Sequence, residues 1–259
     1  MNICLFESDE ISKPLSVKDK RGEHIVKILH KKEGDTFSAG IINGMAGKAV
    51  ITKIDLKEEK SADGRKTFLA GNIFFDFKSE SDGKTLYPLT MIIGFPRPIQ
   101  LKRLLRDMAG LGVQAVHLCG TELVEKSYLK SEMSTVENCR QLLLEGTVQA
   151  CSTHVPEVFI HNSLKECLDF LEKNNSCKYE KIALDNVCPQ ESLYAFSSAN
   201  KFSSAVAAVG SERGWSENER RLLENSGYKR FSLGKRVLRT ESAATVAASL
   251  ILGSMGFLM

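Results

Sequence analysis

Two short segments near the C-terminus combine glycine, charge and a junction between predicted elements. In residues 207–216, AAVGSERGWS, an apolar run leads through Gly210 and Gly214 into the start of a predicted helix. Glycines at such a junction let the backbone approach a ligand, and the amides of the helix N-terminus become hydrogen-bond donors. Taken alone, the segment also fits an ordinary tight connection between a strand and a helix.

The second segment, residues 233–244, reads LGKRVLRTESAA and places Lys235, Arg236 and Arg239 just before an uncharged run of small residues. A single basic cluster of this kind is typical of a solvated loop. Two such segments in one chain, both after predicted strands near the C-terminus, favour a binding site instead.

The first 78 residues carry mainly strand signals, in short apolar runs such as residues 48–54 and 68–77, and predict a small β-barrel domain, 1–78. Residues 24–31, HIVKILHK, are an exception. Ile25, Ile28 and Leu29 repeat at helical spacing there, which predicts a short helix with His24, Lys27 and Lys31 together on its other side.

Residues 79–259 show strands alternating with helices, which predicts an α/β domain with a parallel sheet covered by helices. In such sheets ligands bind at the carboxyl ends of the strands, here the loops after Asp185, Val209 and Leu233. A helix opened by Pro98 is predicted to bury one apolar stripe and to expose basic residues that could contact phosphates. The stripe comprises Leu101, Leu104, Leu105 and Met108, and the basic residues are Arg97, Lys102, Arg103 and Arg106.

The composition and motifs of the chain exclude several classes of protein. With 42% hydrophobic and 26% charged residues the chain is not a disordered one, and a formal net charge of +3 does not indicate bulk nucleic-acid binding. The seven cysteines lack a Cys-x-x-Cys pair, so we expect no metal site, no disulfide framework and a cytoplasmic location. No phosphate loop or Gly-x-Gly-x-x-Gly motif is present. The apolar residues 242–259 are interpreted as a buried helix, with no membrane association, rather than a tail anchor.

The two C-terminal segments resemble the RsmE family of 16S ribosomal RNA uridine N3-methyltransferases, in the knotted SPOUT class. The family hallmark is close to Gly-Ser/Pro-Glu-Gly-Gly followed by Leu-Gly-x-Arg-x-Leu-Arg-x-Glu-Thr-Ala. This chain reads GSERG at residues 210–214 and LGKRVLRTESA at residues 233–243. The resemblance implies a PUA-like β-barrel followed by a trefoil-knotted α/β domain, a homodimer, and ribosomal RNA or the small ribosomal subunit as partner.

The resemblance also implies S-adenosylmethionine as cofactor, held by the loops after three late strands. The expected cofactor-binding residues are Leu184, Asp185, Val209, Gly210, Ser211, Glu212, Gly214, Leu233, Gly234, Arg236, Val237 and Leu238. Transfer to uridine N3 requires loss of a proton and stabilisation of charge on the flanking carbonyl oxygens. We predict Glu212 and Arg239 for these catalytic roles; an ion pair or a contact that braces a loop is the structural alternative.

The chain departs from the family pattern where charged residues would face RNA. The replaced positions include His30, Asp107, Gly110, Leu123 and Ser152, and the second glycine of the loop pair is Arg213. We expect RNA contacts from His24, Lys27, Lys31, Arg97, Lys102, Arg106 and Arg213. Two alternatives stay open: an RNA-binding protein that has lost the chemistry, and a methylase of the same class acting on another RNA.

Overall fold

The computed structural model describes residues 2–60, 67–129, 131, 134–174 and 179–258. The chain forms two compact units. The first comprises Met1–Thr85 with Thr147–His154, and the second comprises Leu86–Gly146 with Val155–Met259.

The first unit contains a five-stranded sheet of order β1-β3-β4-β5-β2. Its long antiparallel pair β4–β5 is flanked by shorter strands, and Phe6, Ile51 and Ile73 are buried in its core. The strands are β1 (Cys4–Phe6), β2 (Leu15–Ser16), β3 (Thr36–Ile41), β4 (Ala46–Lys60) and β5 (Thr67–Ser81).

The helix predicted at residues 24–31 forms with different geometry. α1 (Lys20–Glu23) continues as a π-helix over His24–Ile28, in which the Leu29 amide donates to the His24 carbonyl at 2.9 Å. The wider π turn changes which residues share a face. The prediction that Ile25, Ile28 and Leu29 form one apolar face is therefore wrong. Ile25 is buried, but Ile28 is 64% exposed and Leu29 is 42% exposed.

The second unit is built on a seven-stranded sheet of order β10-β12-β9-β11-β6-β7-β8, in which all described pairs are parallel. The predicted α/β domain with a parallel sheet is confirmed. Its strands are β6 (Tyr87–Gly94), β7 (Val113–Cys119), β8 (Glu157–His161), β9 (Glu180–Leu184), β10 (Glu191–Ser192), β11 (Ala205–Val209) and β12 (Lys229–Ser232).

Local sequence signals mark both ends of α2 (Pro98–Leu111). Pro98 opens α2, and Gly112 ends it in the left-handed conformation, with φ of 74°. The predicted apolar stripe of α2 is buried, as expected. The remaining helices are α3 (Lys126–Leu129), α4 (Val136–Gln149), α5 (Leu164–Asn174), α6 (Leu193–Ala199), α7 (Glu217–Asn225) and α8 (Thr240–Ser254), after α2 (Pro98–Leu111).

The buried face of α8 is made of small and branched apolar residues, among them Ala244, Ala247 and Ile251. This helix packs against α2, α6, β6 and β11. Within the described chain, no helix combines the length and apolarity needed to cross a membrane.

A buried imidazole pair lies between β7 and β8, where His117 Nδ1 and His161 Nε2 are 2.9 Å apart. Burial lowers the pKa of His117 to about 3 and also lowers the pKa of His161, so both rings are neutral near pH 7. Together with Cys167 they form a group whose ligand atoms lie within 4.8 Å of one another. Sequence spacing did not predict this group, because its members come from three separate elements.

Two helical glycines provide a matched test of packing. A Cβ at Gly146 would lie 2.5 Å from the Arg106 carbonyl oxygen, whereas a Cβ at Gly110 meets nothing within 4 Å. We expect Gly146→Ala to cost about 1–3 kcal/mol through overpacking, and Gly110→Ala to stabilise by about 0.5–1 kcal/mol through helix propensity. Thermal unfolding of both variants measures the difference, and equal melting temperatures would contradict it.

Candidate active site

Three loops of the second unit meet at one edge of its sheet. They are residues 185–190, 210–216 and 233–239, which follow β9, β11 and β12. β9 pairs with both of the other strands in parallel, so the three carboxyl ends lie side by side. This is the position at which open parallel sheets bind ligands.

The three loops enclose a cavity of about 250 Å³. Except for Gly234, all the residues predicted to bind cofactor line it. The complete lining is Leu184, Asp185, Asn186, Val187, Val209, Gly210, Ser211, Glu212, Arg213, Gly214, Arg220, Leu233, Arg236, Val237, Leu238, Thr240 and Ala243.

A buried ion pair fixes the first loop. The Asp185 side chain is only 4% exposed, and its Oδ2 accepts from Arg220 Nε at 2.7 Å. Arg230 Nη1 lies 3.7 Å from the same oxygen, and the Val187 amide donates to Oδ1 at 3.1 Å. The hydrogen bond with Asp185 raises the pKa of Arg220. The Asp185 carboxylate therefore positions the loop.

The second loop is held by contacts on both sides. Trp215 is buried, and its Nε1 donates to the Leu184 carbonyl at 3.1 Å. Ser216 and Glu219 form a capping box at the start of α7. Glu219 is itself buried and also accepts from the Glu122 amide at 2.9 Å, which joins the start of α7 to the segment that follows β7.

Gly94, at the end of β6, sets the depth at which the second loop lies. A Cβ there would be 2.4 Å from the Ser211 amide nitrogen and 2.9 Å from the Gly210 carbonyl carbon. Any larger side chain would push the loop away from the sheet.

Glu212 reaches from this loop toward the start of α2. Its Oε1 accepts from the Arg97 amide at 3.3 Å, and its Oε2 lies 3.4 Å from Arg97 Nε. The Glu212 side chain is 30% exposed, so the ion pair remains open to a ligand.

Sequence reasoning missed several residues of the cavity wall. Arg220 is the clearest case, because the run ENERRLLEN around it has the charge pattern of a solvated helix face. Thr240 was also missed; its hydroxyl lies 3.4 Å from the Gly210 carbonyl oxygen. No local signal in the sequence connects Arg220 with Asp185, because the two residues are 35 positions apart.

Comparison with known proteins places this site in a family. Residues 84–252 match the model of an RNA methyltransferase domain. The chain is 38% identical to the ribosomal RNA small subunit methyltransferase E of Treponema pallidum, over 98% of this chain and 91% of the relative. The chain belongs to the ribosomal RNA small subunit methyltransferase E family. The predicted resemblance is thereby confirmed, and the chain is an RNA methyltransferase.

A further relative supports the assignment, and a solved structure shows the same fold. A relative from Borreliella burgdorferi, named ribosomal RNA small subunit methyltransferase E 1, is 32% identical over 98% of both chains. A solved structure described as the methyltransferase E of Neisseria gonorrhoeae bound to S-adenosyl methionine has a TM-score of 0.68 and 18% identity. It covers 98% of this chain and 97% of that chain, and it shows the shared fold.

The two residues predicted to be catalytic in this methyltransferase lie in different places. Glu212 lines the cavity, whereas Arg239 is exposed at the N-cap of α8 and is absent from the described cavity wall. Both roles stay predictions.

The residues predicted to contact RNA lie in both units. In the first unit, Lys27 pairs with Glu23 at 2.9 Å, and His24 and Lys31 are partly buried. In the second unit Lys102 is exposed and Arg106 pairs with Glu145. Arg213 lies 3.9 Å from Glu125 and lines the cavity. RNA contact by these residues stays a prediction.

The buried ion pair of this methyltransferase yields a matched test. Arg220→Ala would leave the Asp185 carboxylate buried without its closest partner, at a cost of about 3–5 kcal/mol. Arg221, on the same helix, is 69% exposed and pairs only with the exposed Glu217 among the described residues, so Arg221→Ala should change stability by less than about 1 kcal/mol. Chemical denaturation of both variants gives the free energies, and equal losses would contradict this account.

Proposed function

We propose that this protein transfers a methyl group from S-adenosylmethionine to N3 of a uridine in small-subunit ribosomal RNA. The observation that supports this most strongly is the cavity formed by three loops at the edge of the parallel sheet, in a chain of the methyltransferase E family.

The residues of the cavity suit the cofactor chemically. Val209, Leu233 and Leu238 provide apolar surface for a flat adenine ring, while the backbone of the Gly210–Gly214 loop offers donors and acceptors. Arg236 would pair with a carboxylate, and the Glu212 carboxylate suits a positively charged sulfur. When bound, the cofactor supplies an electrophilic methyl group on that sulfur.

Two residues of the chain are proposed to handle the acceptor. The Glu212 carboxylate accepts the N3 proton, directly or through water, as the nitrogen becomes a nucleophile. Arg239 stabilises the negative charge that spreads onto a carbonyl oxygen beside N3. The loops hold both reactants in place, which removes the entropic cost of bringing them together during the step.

We also propose the finer architecture that the family resemblance implies. The five strands of the first unit would form a PUA-like barrel that grips RNA through His24, Lys27 and Lys31. The last helix, which packs against β6 and β11, would thread a trefoil knot. We also propose that the protein is located in the cytoplasm.

The reaction is tested by mapping modified nucleotides. Small-subunit ribosomal RNA from cells with and without the gene is digested and analysed by mass spectrometry, and the purified protein is then incubated with the unmodified RNA and S-adenosylmethionine. We expect one uridine to gain a methyl group that blocks reverse transcription, because N3 lies on the pairing edge. A methyl on another atom or another RNA would contradict the proposal.

Arg239→Ala should lower the rate of methyl transfer by about 10²–10³, because a group that stabilises developing charge acts mainly in the transition state. Affinity for S-adenosylhomocysteine and melting temperature should stay near the wild-type values. Lys235→Ala, in the same exposed loop, is the matched control. Near-native turnover of Arg239→Ala would move the catalytic assignment to Glu212 and Arg213.

We propose a homodimer, because apolar side chains remain exposed along and after α8. Val246 is 40% exposed, Phe257 is 38% exposed and Leu258 is 45% exposed. Association would remove this surface from water. Light scattering should give twice the chain mass of 28.7 kDa, and a monomer at micromolar concentration would contradict the proposal.

A further inference from the structure

A second cavity, of about 200 Å³, adjoins the first. The two cavities share Ser211, Glu212 and Arg213, so the tip of the second loop is a common wall. The other lining residues come from the start of α2 and from the segment after β7: Arg97, Leu123, Val124, Glu125 and Tyr128.

The polar groups of the second cavity are paired with one another but remain accessible. Arg97 Nε is 3.4 Å from Glu212 Oε2, and Arg213 Nη2 is 3.9 Å from Glu125 Oε1. The side chains of Arg97 and Arg213 are 60% and 68% exposed. A hydrogen bond with the Tyr128 hydroxyl, followed by the Glu212 carboxylate, raises the pKa of Arg97. A ligand could exchange with each of these weak surface contacts.

The charge balance of this cavity argues against a phosphate. Two guanidinium groups face two carboxylates, so the wall has no net positive charge to attract an anion. A flat, neutral ring with both acceptors and a donor on its edge suits the cavity better. Tyr128 offers an aromatic face, Arg97 offers donors for a carbonyl oxygen, and Glu212 offers an acceptor for an N–H group.

We infer that the second cavity holds the unstacked acceptor pyrimidine of the RNA, with Tyr128 stacking on the ring and Arg97 donating to a ring carbonyl. This inference rests on the proposed function. Enzymes that modify a base draw it out of the stack into a pocket beside the reacting group. The common wall supports this arrangement, because Ser211, Glu212 and Arg213 line both cavities and a ring in the second cavity therefore lies next to the first.

The role of Tyr128 is tested by changing its ring while keeping its bulk. Tyr128→Leu should lower kcat/KM for RNA by between about fivefold and 150-fold, the effect of losing one base–aromatic stack, whereas Tyr128→Phe should keep most of the activity. Affinity for S-adenosylhomocysteine should not change. Tyr194→Leu is the control, because Tyr194 is 68% exposed and is absent from the described walls of both cavities.

Two outcomes would overturn the role of Tyr128. In the first, Tyr128→Leu shows wild-type kcat/KM. In the second, both Tyr128→Leu and Tyr128→Phe reduce activity, melting temperature and cofactor-analogue affinity together, which would indicate a structural role. If the wild-type protein methylates no RNA, the proposed function itself fails, and that result is separate from either outcome.

The role of Arg97 is tested by salt dependence. A side chain that contacts phosphate adds about one unit to the slope of log K against log salt, whereas a contact to a base adds none. We expect Arg97→Gln to weaken RNA binding with the slope unchanged, and Lys102→Gln to reduce the slope. A reduction of about one unit for Arg97→Gln would assign Arg97 to a phosphate and overturn the inference.

Discussion

The parallel pairing of β9 with β11 and β12 is the constraint on which the site depends. Parallel strands end at the same edge of a sheet, so three segments separated by many residues must meet there. The register places Leu184 beside both Val209 and Phe231. Each loop thus begins at nearly the same height, and together the loops can enclose a small molecule from three sides.

The loops themselves are fixed by a few buried polar contacts. The Asp185–Arg220 pair joins the first loop to α7, and the Trp215 side chain joins the second loop to the end of β9. Because buried polar groups are costly without partners, these contacts favour one loop arrangement over others. The rigid backbone is then available to bind a cofactor without prior ordering, which lowers the entropic cost of binding.

The second loop also separates the two cavities, so Glu212, which lies on this loop, can contact a ligand in either cavity. The side chain lies in both walls, and Arg97 holds its two oxygens through the backbone and the guanidinium. A group in this place can affect both reactants of a transfer reaction. In the second cavity Leu123 and Val124 provide apolar surface, and the charges of Arg97 and Arg213 are balanced by Glu125 and Glu212.

The sequence by itself determined the α/β class, the alternation of strands and helices, and the segments that surround the cavity. These features follow from local periodicity and from two short motifs near the C-terminus. Only the tertiary structure decided which charged residues act together. Arg220 and Tyr128 lie far in sequence from Asp185 and Glu212, so no local pattern could pair them. The π-helix at His24–Ile28 shows the same limit, because backbone geometry there overrides the helical spacing of Ile25, Ile28 and Leu29.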